Sequence, residues 1–213
     1  RMAHLLCAEG LDQRDHFSIM MENNDRYLEA CAAGERTGLY YTCINSYLTA
    51  DELAYILDNS ESQILITSML KLGVAIDAVA QSNKVRKVLV VDAGANQLPE
   101  GFEDYATACQ SFPVTPIDNE RLGTAMLYSS GTTGRPKGII RPLPEQPPAE
   151  ALPIFDFLGQ LWHYREDMVY LSPATLYHSA PQAAVNLTIR QGGTVIIMER
   201  FDPEAYLSLI EQY

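Results

Sequence analysis

The chemistry in this chain concentrates in Tyr128-Ser129-Ser130-Gly131-Thr132-Thr133-Gly134-Arg135-Pro136-Lys137-Gly138, which directly follows the apolar run Ala125-Met126-Leu127. Gly131, Gly134 and Gly138 lack Cβ, so the backbone there can adopt φ > 0 and bring its N–H groups close to an anion. The hydroxyls of Ser129, Ser130, Thr132 and Thr133 add donors, and Arg135 and Lys137 add positive charge. Each charge-assisted bond to a phosphate oxygen contributes roughly 1.5–3 kcal/mol. Pro136 fixes one φ between the two cations and opposes an immediately continuing helix. Such a set handles phosphate. The alternative is a Gly/Thr-rich surface turn with incidental charges, and too many residue types match for that.

Other phosphate and nucleophile patterns are excluded. A P-loop needs Gly-Lys followed by Ser or Thr, whereas Lys137 is followed by Gly138. No G-x-G-x-x-G, G-x-S-x-G or HExxH occurs, so the dinucleotide fingerprint, the nucleophile elbow and the zinc helix are absent.

YSSGTTGRPKG resembles the signature loop of the adenylate-forming (AMP-binding) superfamily, and the chain is most similar to its acyl-CoA synthetases. Further blocks carry the resemblance along the chain: Asp15 to Asn23, Leu39 to Leu53 with Asn45, Leu171 to Pro181, Gly192-Gly193-Thr194, and Phe201-Asp202-Pro203-Glu204. The resemblance implies part of the large N-terminal domain of such an enzyme, with ATP, magnesium carried with it, and coenzyme A as cofactors. It implies that a carboxylate attacks the α-phosphate to give acyl-AMP and pyrophosphate, and that a thiol then displaces AMP.

On this resemblance Ser129, Ser130, Gly131, Thr132, Thr133, Gly134, Arg135, Lys137 and Gly138 form the ATP-binding set. Lys137, Thr132 and Thr133 serve catalysis. The carboxylate is already a nucleophile near neutral pH, so the work is alignment and charge stabilisation and needs no general base. Lys137, Arg135 and the two threonine hydroxyls suit the leaving-group side. His178, in Tyr177-His178-Ser179-Ala180-Pro181, is the candidate substrate residue, lining the acyl pocket; the competing reading is a helix-start histidine bonded to backbone. His4, His16 and His163 read as surface or structural, and no residue set reads as a protein metal site. A fatty or other hydrophobic acid is the expected substrate at family level. Trp162, Tyr164 and Tyr177 serve equally well as core or pocket.

The chain departs from the family pattern in two ways. Many members carry a Thr-His pair soon after the loop's last glycine, where Ile139-Ile140-Arg141-Pro142 stands here. The start reads as the interior of a helix, and the motifs for adenine, magnesium, ribose and the mobile C-terminal lysine would lie beyond Tyr213. The expectation is an N-terminal fragment whose partner is the missing C-terminal part of the same enzyme, and which is inactive alone. The competing function is a noncatalytic nucleotide- or partner-binding α/β module.

Fifteen basic against 27 acidic residues give a net charge of −12, which disfavours nonspecific binding to nucleic acid or an anionic membrane. Cys7, Cys31, Cys43 and Cys109 form no CxxC pair and are expected to be reduced core thiols. No apolar run approaches the roughly 20 residues of a membrane span, so no integral segment is expected, and a cytoplasmic location is the default.

The elements that must position the loop alternate. Strands are expected at 16–21, 39–44, 63–67, 87–91 and 124–128, and helices at 24–35, capped by Asn24, and 70–81. Thr49-Ala50-Asp51-Glu52 has capping-box spacing ahead of Leu53, Ile56 and Leu57. After five prolines at 142, 144, 147, 148 and 153 come a helix at 154–161, a strand at 168–171, a helix at 181–190 and a strand at 194–198. A last helix is capped by Asp202, with Tyr206, Leu209, Ile210 and Tyr213 as a core stripe. This alternation predicts an α/β fold of largely parallel sheets flanked by helices, with ligands near the carboxyl ends of strands. The expected organisation is a first α/β unit over 1–141, a proline-rich linker over 142–153 and a second α/β unit over 154–213.

Overall fold

A computed structural model describes residues 1–129, 135–150 and 152–213. Contacts divide it into two units, Arg1–Met21 with Glu29–Pro148, and Glu22–Leu28 with Ala149–Tyr213. The division after Pro148 falls inside the proline-rich stretch. The grouping of Glu22–Leu28 with the later unit has no local sequence signal.

In the first unit α1 (Met2–Ala8) precedes β1 (His16–Met20), α2 (Asp25–Thr37), which belongs to this unit from Glu29 on, leads to β2 (Tyr40–Cys43), and α3 (Ala50–Asn59) leads to β3 (Ser62–Ser68). Then follow α4 (Leu72–Val79), β4 (Lys87–Val91), β5 (Phe102–Asp104), α5 (Tyr105–Gln110) and β6 (Thr124–Ala125). The six strands pair in the order β5-β4-β3-β1-β2-β6, every pair parallel. A parallel sheet covered on both faces needs apolar residues on both sides of each strand. Phe17, Ile19 and Met20 of β1 and Val88 to Val91 of β4 are accordingly buried.

The helix at α3 forms where its sequence spacing predicts. The Thr49 hydroxyl accepts from the Glu52 amide at 3.4 Å, and a Glu52 carboxylate oxygen accepts from the Thr49 amide at 2.9 Å. The Thr49 hydroxyl also donates to that carboxylate at 2.8 Å, and the bonds it receives from the Thr49 amide and hydroxyl hold the Glu52 carboxyl below its ordinary value. Leu53, Ile56 and Leu57 recur on one face and are buried against Leu65, Val88 and Val90. At α2, Asn24 Oδ1 accepts from the Tyr27 amide at 3.0 Å, as an N-cap does.

Some expectations are corrected. The helix expected over 70–81 splits into a 3-10 turn, Met69–Lys71, and α4. The element Phe102–Gln110 was not read from the sequence, because its strand is only three half-buried residues long. Cys7 is exposed on the outer side of α1, whose Met2, Leu5 and Leu6 face inward, while Cys31, Cys43 and Cys109 are buried thiols.

The strand expected over 124–128 is two strands with different partners. The amides of Thr124 and Met126 bond to the carbonyls of Leu39 and Tyr41 at 3.1 and 3.0 Å, keeping the chain beside β2. Beyond Met126 the chain leaves the sheet as β7 (Leu127–Ser129), which pairs antiparallel with β8 (Lys137–Ile139).

The second unit holds α6 (Pro153–Leu161), β9 (Val169–Ser172), α7 (Ser179–Arg190), β10 (Thr194–Ile197) and α8 (Pro203–Gln212). β9 and β10 form a parallel pair. Buried Asn23 ties their ends together: its Nδ2 donates to the carbonyls of Ala174 and Met198 at 2.9 and 3.1 Å, and its Oδ1 accepts from the Leu176 amide at 2.9 Å. Asp202 caps α8, accepting from the Ala205 amide at 2.7 Å. The expected core stripe on α8 is corrected: none of its residues is buried, and Ile210 and Tyr213 are 55% and 61% exposed. Tyr206 and Leu209 on that stripe are half-buried.

Candidate functional site

The candidate phosphate loop joins the strands of the β7–β8 hairpin, past the carboxyl end of β6. Its register places Leu127 opposite Ile139, Tyr128 opposite Gly138, and Ser129 opposite Lys137. Antiparallel pairing thus brings the first hydroxyl of the motif and its last cation side by side, although eight positions separate them in sequence. Ser130, Gly131, Thr132, Thr133 and Gly134 lie outside the described residues.

The feet of the hairpin are tethered to the sheet and to α3. The Tyr55 hydroxyl donates to the Pro136 carbonyl at 3.1 Å, and the Arg135 guanidinium lies over the Tyr55 ring, 4.8 Å from its centroid. The Tyr128 hydroxyl donates to Asn59 Oδ1 at 2.7 Å. Beyond β8, the Tyr40 hydroxyl donates to the Arg141 carbonyl at 2.7 Å. Burial, reinforced by the nearby Tyr55, pushes the Tyr128 hydroxyl up to about 12 despite a hydrogen bond with Ser60, so it stays protonated and remains a donor near neutral pH.

Gly138 is needed for a reason other than the expected one. It is a strand residue of β8, and it is not among the glycines with positive φ. What it supplies is space: a Cβ there would overlap the Met126 methyl and lie 3.0 and 3.1 Å from Tyr128 Cζ and Oη.

Arg135 and Lys137 are both exposed. Among the described residues neither pairs with a carboxylate, whereas Lys84, Arg86 and Lys87 of the same unit do. Within a chain of net charge −12, these two cations concentrate positive charge on one hairpin.

His178 belongs to the second unit, at the N-cap position of α7. Its side chain makes no cap hydrogen bond, is exposed, and lies against the Tyr177 ring with centroids 4.4 Å apart. Its main chain does the bonding, the amide donating to the Thr175 carbonyl and the carbonyl accepting from the Gln182 amide, both at 3.2 Å. Among the described residues no three His, Cys, Asp or Glu side chains group as a metal site, and no helix is long and apolar enough to cross a membrane.

Tyr55 and Asn59 were not read as site residues. The available signal was their position: they lie one turn apart on α3, outside the Leu53, Ile56 and Leu57 stripe, where a helix usually meets water.

Comparison with known proteins bears on both the fold and the loop. The family model described as "AMP-binding enzyme" matches residues 1–213. The chain is 26% identical over 204 residues to 4-coumarate–CoA ligase 1 of Petroselinum crispum, covering 96% of this chain and 37% of that protein. It is 27% identical over 214 residues to the long-chain-fatty-acid–CoA ligase FadD13 of Mycobacterium tuberculosis, covering 99% of this chain and 40% of that one. The structure of ATP-bound MatB from Rhodopseudomonas palustris superposes with a TM-score of 0.74 at 26% identity, covering 99% of this chain and 40% of that chain. The chain therefore spans about two fifths of the length of the relatives it matches.

Proposed function

Because this chain belongs to the AMP-binding enzyme family, we propose that it is the N-terminal part of an ATP-dependent acid–thiol ligase. In this reading the ligase activates a carboxylic acid, a fatty or other hydrophobic acid, as acyl-AMP and transfers the acyl group to coenzyme A. The observation that carries it is the β7–β8 hairpin, with Ser129 beside Lys137 and with Arg135 and Lys137 left without acidic partners. The acid class is supported by relatives named for 4-coumarate and for long-chain fatty acids.

In the first step a carboxylate oxygen attacks the α-phosphorus of ATP. The bond from that phosphorus to the α–β bridging oxygen breaks, and pyrophosphate leaves with the electron pair. Lys137 and Arg135, with Thr132 and Thr133 by residue type, would stabilise the charge that accumulates on the leaving group. Magnesium carried with the nucleotide would add counter-charge there. In the second step the sulfur of coenzyme A attacks the acyl carbon, the acyl–oxygen bond breaks, AMP leaves, and the thiol proton passes to solvent. His178, exposed at the start of α7, lines the acyl side in this reading.

The test is carboxylate-dependent ATP–pyrophosphate exchange in the full-length enzyme, run over a panel of acids. Lys137→Ala is expected to slow exchange by at least tenfold, about 1.4 kcal/mol of lost charge stabilisation. Unchanged exchange would remove the loop from the chemistry. The 213-residue chain alone is expected to form little or no acyl-AMP, and robust formation would overturn the division of labour proposed here.

A further inference from the structure

Helix α3 touches both feet of the hairpin. Asn59, at its last turn, accepts from Tyr128 on β7 at 2.7 Å. Tyr55, one turn earlier, donates to the carbonyl of Pro136 just before β8 at 3.1 Å and carries the Arg135 guanidinium over its ring at 4.8 Å. Tyr55 is half-buried against the core that Leu53 and Leu57 join, so the ring is itself held in place.

We propose that α3 holds the two feet of the β7–β8 hairpin and that Tyr55 is a positioning residue for ATP, acting through Arg135 and the Pro136 carbonyl. The inference rests on the reading of this loop as the ATP site. Its physical basis lies in what an aromatic ring does to an arginine. A carboxylate partner would hold the guanidinium by occupying its N–H donors and cancelling its charge. A ring face holds it from one side, leaving the N–H edges and the charge available to phosphate oxygens. An exposed arginine otherwise samples many rotamers, and ordering it on nucleotide binding costs side-chain entropy. Stacking on Tyr55 reduces that ordering before the nucleotide arrives. The hydroxyl bond to Pro136 fixes the backbone from which both Arg135 and Lys137 project, so one side chain positions both cations.

The test uses the full-length enzyme and measures ATP–pyrophosphate exchange with ATP and acid varied separately. Tyr55→Leu, which removes ring and hydroxyl, is expected to raise the KM for ATP about fivefold to tenfold and leave the KM for the acid unchanged. Tyr55→Phe keeps the ring and loses only the hydroxyl, and should raise the ATP KM about twofold to threefold. In an Arg135→Ala background the effect of Tyr55→Leu should shrink, because its main client is gone. An ATP KM unmoved by Tyr55→Leu, or ATP and acid KM values rising together, overturns the proposal, and Tyr55→Phe decides the matter if Tyr55→Leu fails to fold. Lys137→Ala measured alongside separates the two levels. If it slows exchange while the Tyr55 variants do not differ from wild type, the positioning role fails and the ATP site stands. If Lys137→Ala has no effect, the ATP site itself fails.

Discussion

Gly138→Ala tests whether the loop's last glycine is needed for space. The new methyl overlaps the Met126 methyl and sits 3.0 Å from Tyr128 Cζ and 3.1 Å from its Oη. Met126 ends in a flexible thioether that can rotate away at small cost. The Tyr128 ring cannot move so freely, because its hydroxyl is bonded to Asn59 at 2.7 Å and the ring packs beside the α3 core. Overpacking of this kind costs about 1–3 kcal/mol. If the ring shifts far enough to break its hydroxyl bond, roughly 0.5–1.5 kcal/mol more is lost.

The expected outcome is a urea midpoint lowered by an amount equivalent to about 1–3 kcal/mol, together with a raised KM for ATP in pyrophosphate exchange. A double-mutant cycle then identifies the obstacle. In a Tyr128→Phe background the ring has lost its tether, so the alanine should cost less by about 0.5–1 kcal/mol. A Gly138→Ala protein with the wild-type midpoint and ATP KM refutes the reasoning. An identical cost in both backgrounds shows that the methyl does not meet the ring.

Four further outcomes follow from other positions. At Gly123 a Cβ would overlap the carbonyl oxygens of Gly34 and Leu39 and lie 2.9 Å from the Gly34 carbonyl carbon, all backbone; Gly123→Ala should therefore destabilise by about 3 kcal/mol or more in thermal unfolding. On exposed Gly73 of α4 the same change meets nothing within 4 Å and should stabilise by about 0.5–1 kcal/mol, so equal effects at the two sites would refute the packing argument. Asn23→Ala removes three hydrogen bonds and strands the Leu176 amide, and should cost about 2–4 kcal/mol in chemical denaturation; a cost under about 0.5 kcal/mol would show that those bonds do not hold β9 and β10 together. Burial lowers the His16 imidazole below its ordinary 6.5, opposed by Glu61 and Asp15, and its Nδ1 has no hydrogen-bond partner. The unfolded chain therefore binds the proton first, and stability should be full above pH 6.5 and fall as the pH drops through that value. His16→Phe keeps the stack on Tyr40 and should flatten this slope in melting curves recorded between about pH 7 and 5, whereas an unchanged slope would clear His16 of the effect.

Where a local pattern and its tertiary use coincide, the elements were legible. The run Lys87–Val91 is a strand from end to end. Thr49 and Glu52 form their capping box, and Asp202 caps α8, because each bond closes within one turn of chain. Elements whose partners lie far away in sequence were not legible. Residues 124–128 look like one apolar strand, yet Met126 is the point where the chain exchanges β2 for β8. The apolar positions of α8 have helical spacing, but spacing does not show what covers a face, and none of them is buried. At the candidate site, Ser129, Arg135, Lys137 and Gly138 were singled out by residue type, whereas Tyr55 and Asn59, which contact the hairpin, were not. A tyrosine and an asparagine outside a helix's apolar stripe carry no mark of the hairpin they hold.

By itself the sequence determined which groups are gathered in one short stretch, glycines, hydroxyls and two cations, within an α/β alternation of apolar runs. Those are properties of residue type and period, and they survive in any conformation. The tertiary structure decided how the groups are held. Antiparallel pairing sets Ser129 against Lys137, the Tyr128 ring reserves the space over Gly138, and the face of Tyr55 steadies Arg135 without neutralising it. Each of these joins residues that chain connectivity does not bring together, and their order follows from packing around the sheet.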